Sequence, residues 1–235
     1  MIKLINNEFI KVKKYKIILT YILIIISIIL MNKYGKSDIK DMSYNLIPFI
    51  GIIISILFGG SICSEIENGT MRYYLTKPFK RYKIYLSKLI TILIYVILSY
   101  AVITISVSII SNFDISYFKK YIIYMIPIMF TSSFIMYLST TFKNHVFVSV
   151  FSILILCFSL IISQVLFGIK FNFIEYSFLP YLDYSLFNDK FVLDEMNKEL
   201  GIHLSLNRAI IIDFIWFIIF GLLGILRFNS KDIRN

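Results

Sequence analysis

The sequence predicts an all-α, polytopic integral membrane protein with six transmembrane helices, an N-terminal interfacial helix and a short cytoplasmic helix between spans two and three. Three observations predict it. Hydrophobic residues fill 58% of the 235 positions and charged residues only 16%, against roughly 25% charged in an ordinary soluble domain, which sets aside a soluble enzyme. The charges fall between uncharged runs at 17–32, 42–64, 89–113, 121–142 and 146–169, and a sixth run, 209–226, is interrupted only by Asp213. A helix needs about 20 mostly apolar residues to cross roughly 30 Å of hydrocarbon; the first run reaches that length if Lys16 and Lys33 extend their ammonium groups outward. Finally, alternate gaps differ in charge. The segments 1–16, 64–88, 143–145 and 227–235 together carry fifteen basic and four acidic side chains, whereas the remainder carries nine basic and ten acidic ones. Since Lys and Arg concentrate on the cytoplasmic side, both termini and the 64–88 loop are expected in the cytoplasm of a multi-pass plasma-membrane protein. The ten-residue alternation of a membrane barrel is missing.

Taken in order, MIKLINNEFIKVKKYK puts Ile2, Ile5, Phe9 and Val12 on one helical face, with Lys3, Asn7, Lys11 and Lys14 elsewhere around it, as in a helix lying in the membrane interface. The first span follows it and ends in MNKYG, with no small-x-small cleavage site, so a retained helix rather than a removed signal peptide is expected. After the second span, residues 64–88 read SEIENGTMRYYLTKPFKRYKIYLSK. Asn68 or Gly69 can take the left-handed conformation that closes a helix, and Thr70 can cap the next one. Met71 to Leu75 then makes a turn or slightly more. Thr76 can cap again, and Pro78 suits the first turn of a helix that leads through Arg81 and Lys88 into span three. A helix this short is not stable alone in water, so it needs a surface to press against.

The arrangement of Glu67, Gly69, Thr70, Leu75, Pro78, Arg81 and Lys88 resembles the cytoplasmic loop of permease subunits of ABC-2 type ABC transporters. The N-terminal NEFIKVKKYK, six spans, a main outer segment between spans five and six, and a basic tail, RFNSKDIRN, are similar to that family as well. Phe79 stands where the family commonly has an apolar or small residue, and Lys80 where it has a small polar one. The resemblance implies that the short helix, with Met71, Tyr73, Tyr74 and Leu75, is a coupling helix seated in a groove of a separate ATP-binding subunit. It also implies a second permease subunit and export of a hydrophobic or amphipathic compound such as a lipid, a drug or an antimicrobial peptide.

The outer segment, 170–207, is dense in aromatic residues, among them Phe178 and Tyr181, which suggests short helices packed at the outer interface rather than a disordered linker. Pro127 in span four marks a possible kink, and Gly221 and Gly224 in span six suggest close helix contact. Asp213, in the last span, is a candidate intramembrane polar site; five residues from Arg208, it also fits interfacial solvation or a local ion pair.

No G-x-x-x-x-G-K-[ST] occurs, so ATP phosphates would be held by a partner. Neither H-E-x-x-H nor G-x-S-x-G occurs, and the chain is not expected to be an enzyme. Cys63 and Cys157 fall inside spans, and His145 and His203 on opposite faces, a pattern that suggests neither a disulfide framework nor a metal site, and no cofactor. No soluble basic domain is present to bind nucleic acid. The alternative to a permease is a non-transporting polytopic scaffold or assembly protein.

Overall fold

Backbone polar groups in hydrocarbon find partners only inside a helix or a closed barrel, and this chain uses helices throughout its described part. The computed structural model describes residues 1–11, 14–34, 50–76, 79–110, 115–169, 175–182, 187, 193–195, 197–198 and 203–231, with no strand among them. The helices are α1 (Ile2–Lys11), α2 (Lys14–Tyr34), α3 (50–58), α4 (Cys63–Glu67), α5 (Thr70–Leu75), α6 (Arg81–Ile110), α7 (Ile115–Thr141), α8 (His145–Gly168) and α9 (Leu206–Ser230). A 3₁₀ turn, Leu179–Tyr181, lies between α8 and α9.

Among the described residues, three stretches are long and apolar enough to cross a membrane: Ile50–Glu67, Arg81–Ser106 and Leu206–Ser230. The apolar stretches Thr20–Leu30, Met125–Thr141 and His145–Ser159 are shorter. Residues 42–49 and 111–113, which belong to expected spans two and three, lie outside the described residues.

α6, α7 and α9 form the centre. α7 and α9 run side by side in the same direction, joined by Phe130, Phe134 and Tyr137 of α7 against Phe220 of α9, with ring centroids 5.0–5.8 Å apart. Such ring pairs add to burial when they meet tilted or edge-on. α6 crosses antiparallel to α9, bringing Tyr85 onto Phe228 and over Gly224. A Cβ on Gly224 would lie 2.1 Å from the Tyr85 hydroxyl oxygen, while one on Gly221 would meet open space. Of the two glycines expected at a contact, only Gly224 makes one. α7 continues through Pro127.

The outer faces are apolar. Ile22, Ile26 and Ile29 of α2, Val150, Leu154 and Phe158 of α8, and Ile211, Phe214 and Leu222 of α9 are all exposed. Soluble proteins seldom expose apolar patches of this extent, and the helix faces fit lipid.

The second expected span is not one continuous helix. It breaks at 59–62, between α3 and α4, for two reasons. Gly59 and Gly60 let the start of α8 come so close that a Cβ on Gly60 would lie 2.3 Å from the Cβ of His145. Ser61 N–H takes the Phe58 carbonyl at 2.9 Å, and the N–H groups of Ile62 and Cys63 both donate to Oγ of Ser139 on α7, at 3.0 and 3.1 Å. A hydroxyl from a neighbouring helix inserted into the ladder is one of the few causes of a sharp break.

Candidate functional site

The end of the bundle that carries α1, α4, α5 and the start of α6 gathers most of the residues singled out by the sequence. α4 closes at Asn68 and Gly69. Gly69 adopts φ 69°, the left-handed value that favours glycine, and its N–H donates to the Ile66 carbonyl at 3.1 Å. Thr70 is not the N-cap expected of it. Gly69 holds that position, and Thr70, the first residue of α5, turns its hydroxyl back to donate to the Glu65 carbonyl at 3.2 Å. Thr76 ends α5 rather than starting another helix, its hydroxyl donating to the Tyr73 carbonyl at 2.9 Å. Pro78 lies outside the described residues.

α5 needs a surface, and its own chain provides one. Met71 and Tyr74, one helical turn apart, are buried against the bundle, Leu75 is half-buried, and Tyr73 is 63% exposed. The four apolar side chains therefore do not all face a partner. Met71 and Tyr74 seat the helix, and Tyr73 is the ring that it presents.

Tyr74 also receives a charge. The Lys11 ammonium of α1 stands 4.1 Å from its ring centroid, within cation–π range. Lys11 is one of four ionised side chains drawn from three helices. Lys88 of α6, only 2% exposed, donates to Glu8 of α1 at 2.8 Å and to Glu65 of α4 at 2.7 Å; Lys11 donates to Glu8 at 2.8 Å and also to Glu65. Two cations against two carboxylates leave the cluster neutral, which is how buried charge is tolerated. Burial pushes the Glu8 carboxyl up, but attraction from Lys88 and hydrogen bonds from both lysines outweigh it and hold the group below its ordinary value. For Lys11 burial acts downward, and hydrogen bonds to Glu65 and Glu8 reverse it, so its ammonium is held above the ordinary range.

α1 thus docks through a mixed face, Leu4 and Phe9 packing on the apolar core and Glu8 joining the ion cluster. Leu4 and Glu8 are buried, Ile5 and Phe9 are half-buried, and Ile2 and Ile10 are exposed. Of the apolar face expected for an interfacial helix, Ile2 alone among the described members points fully outward; Val12 lies outside the described residues.

The remaining residues fasten helix ends. Glu67 accepts from the backbone N–H of His145 at 3.2 Å and lies 2.6 Å from its Nδ1, a carboxylate at the positive end of α8. Arg81 donates from Nη1 to the Asn229 and Lys231 carbonyls at 3.1 and 2.7 Å, closing the carbonyl end of α9. Lys231 Nζ does the same for α7, donating to the Thr140 and Phe142 carbonyls at 2.8 and 3.3 Å.

Asp213 lies at the other end, fully buried on α9, so interfacial solvation is not its situation. The guanidinium of Arg208 donates to Glu175 Oε2 at 2.9 Å and to the His203 carbonyl at 3.1 Å. Nearby Tyr181, also buried, donates to the Glu175 carbonyl at 2.9 Å. Burial foremost pushes its hydroxyl up to about 12, with Arg208 opposing and Glu175 and Asp213 adding to the rise. Phe178 packs between Phe130, Trp216 and Phe220, so this part of the outer segment is anchored by its rings, as its aromatic density suggested.

Sequence reasoning missed Glu8, Lys11, Glu65 and His145 as parts of the site. The i,i+3 spacing of Glu8 and Lys11 was a visible signal; the pairing of Lys88 across 80 residues to Glu8 was not. No group of three or more His, Cys, Asp or Glu side chains suited to a metal occurs among the described residues, and both cysteines are free.

A family model described as a protein of unknown function, DUF2705, matches residues 4–234. The chain belongs to the DUF2705 family. The match takes in every helix of this DUF2705 member but the first two residues of α1, so the ion cluster, the Gly69 turn and the Arg81 contacts all lie inside the family region. No curated protein matches the sequence.

Proposed function

We propose that this chain is the transmembrane subunit of an ATP-driven transporter of the ABC-2 type, with six spans and both termini in the cytoplasm, and that α5 is its coupling helix. The observation that carries the reading is the seat of α5. A helix of six residues, held from behind by Met71 and Tyr74, presents Tyr73 and Arg72 outward at the mouth of α6. The six-span count is supported by lengths of 21, 27 and 24 residues for α2, α7 and α8, each about 30 Å or more at 1.5 Å per residue. A second permease subunit completes the assembly, and the cargo class is a hydrophobic or amphipathic compound.

Purification of the full-length chain from membranes after co-expression with an ATP-binding-cassette subunit tests this. The expected result is a stable complex whose ATPase activity differs from that of the isolated subunit. A chain that retains no such subunit, and alters the ATPase activity of none, is a scaffold or assembly protein instead.

A further inference from the structure

The charges around α5 have been sorted by the fold. Glu8 and Glu65 are spent on Lys88 and Lys11, and Glu67 faces His145. The charges that stand exposed on α5 and at the start of α6 are basic: Arg72 on α5 itself, Lys80 just before α6 and Lys83 in its first turn, with Tyr82 exposed between the last two. Next to Arg72 on the helix, Tyr73 is 63% exposed, while the other ring, Tyr74, is turned inward.

That outward face suits a protein groove better than a lipid surface. A helix that enters a bilayer interface carries several apolar side chains on the entering face, but here Met71 and Tyr74 are buried and the outward neighbours of Tyr73 are Thr70, Arg72 and Thr76. An exposed ring on a short helix, with exposed cations on it and in the segment that follows, suits an interface with an aromatic anchor and a charged rim. Anchors of this kind carry much of an interface's affinity, and rim charges set its rate and salt dependence. Complementarity then requires a pocket for one ring, bordered by carboxylates.

We propose that the surface receiving α5 is an acidic groove on the ATP-binding subunit, with Tyr73 as an aromatic anchor and Arg72, Lys80 and Lys83 facing Asp and Glu side chains on its rim. This rests on the transporter reading above and adds the chemistry of the partner.

The test titrates purified ATP-binding-cassette subunits against the full-length chain in phosphatidylcholine nanodiscs at about 0.1 and about 0.5 M NaCl, where the screening length falls from roughly 10 to roughly 4 Å. The expected Kd rises at least tenfold with salt. The triple variant Arg72→Glu, Lys80→Glu, Lys83→Glu weakens binding at least tenfold at low salt and loses most of the salt dependence, whereas Tyr73→Ala weakens binding but keeps it. Arg72, Lys80 and Lys83 are exposed, and a thermal melt of each variant checks that it folds. A Kd indifferent both to salt and to the triple variant overturns the acidic groove while leaving the transporter reading standing. Failure of every subunit to bind at either salt overturns that reading too. Salt-sensitive binding of phosphatidylglycerol vesicles that the triple variant abolishes, with subunit binding unchanged, assigns the patch to lipid and overturns the proposal.

Discussion

Lys88 shows how one side chain can do more than its place in a motif suggests. At the mouth of α6 it is almost fully enclosed and holds two carboxylates from two other helices. Removing one member of a buried ion cluster leaves the others charged and unsolvated, which typically costs about 3–5 kcal/mol, whereas removing a matched pair costs much less. Lys88→Met is therefore expected to lower thermal stability sharply. Lys88→Met combined with Glu8→Gln should recover a good part of the loss, leaving Lys11 and Glu65 as one matched pair. A double-mutant cycle on unfolding of the purified protein measures this; additive losses would mean that the two residues do not share the cluster. Gly69 is the contrasting case at this scale. Nothing lies within 4 Å of a Cβ built there, so its requirement is set by the positive φ alone.

Among the elements, α1 and α5 depend on one another. Lys11 joins Glu8 of its own helix to Glu65 of α4 and to the ring of Tyr74 on α5. The titration directions define when this connection holds. Glu8 has its pKa lowered from 4.5, so its contribution is fully present above that value and is lost as pH falls through the lower folded value. Lys11 has its pKa raised from 10.5, so its contribution is fully present below 10.5 and is lost only as pH rises through the higher folded value. α1 should stay docked across the range between, from about pH 5 to about pH 10, and detach below it. Cysteines placed at Leu4 and at a facing position of α6 should cross-link equally well throughout that window and less well at acid pH; a midpoint near neutrality would assign the docking to other groups. The break between α3 and α4 belongs to this scale as well, because it turns α4 and its two glutamates toward Lys88 and His145.

On the scale of the whole molecule, the charge asymmetry of the sequence and the position of α5 make one joint statement about orientation. If fifteen of the basic side chains face the cytoplasm, then Thr76, exposed at the end of α5, is inside the cell, and Tyr176, 58% exposed at the other end, is outside. A single cysteine at Tyr176 should react with a membrane-impermeant maleimide in intact cells, and one at Thr76 should react only after lysis. The reverse pattern would remove α5 from contact with any cytoplasmic ATP-binding subunit.

What the sequence determined by itself is what depends on local composition and period. Long uncharged runs dictate helix, since no other open structure satisfies the backbone in lipid, but not the break at 59–62, where Ser139 enters from α7. A helix stop at Asn68 or Gly69 was legible from their backbone freedom, and the structure places the left-handed residue at Gly69. The short helix at Met71 to Leu75 and the packed rings near Phe178 were legible for the same reason. What only the tertiary structure decided is where each side chain of those elements is spent. Tyr73 and Tyr74 are adjacent and chemically identical, and nothing local says that one seats the helix and the other faces out; the packing of Met71 and Tyr74 on the bundle, with Lys11 over the Tyr74 ring, decides it. Likewise Glu8, Glu65 and Lys88 are ordinary charges of a basic loop and an amphipathic helix until three helices converge and exclude water from them. Charge interacts through space rather than along the chain, and its worth is set by burial, which no single segment carries in its own letters.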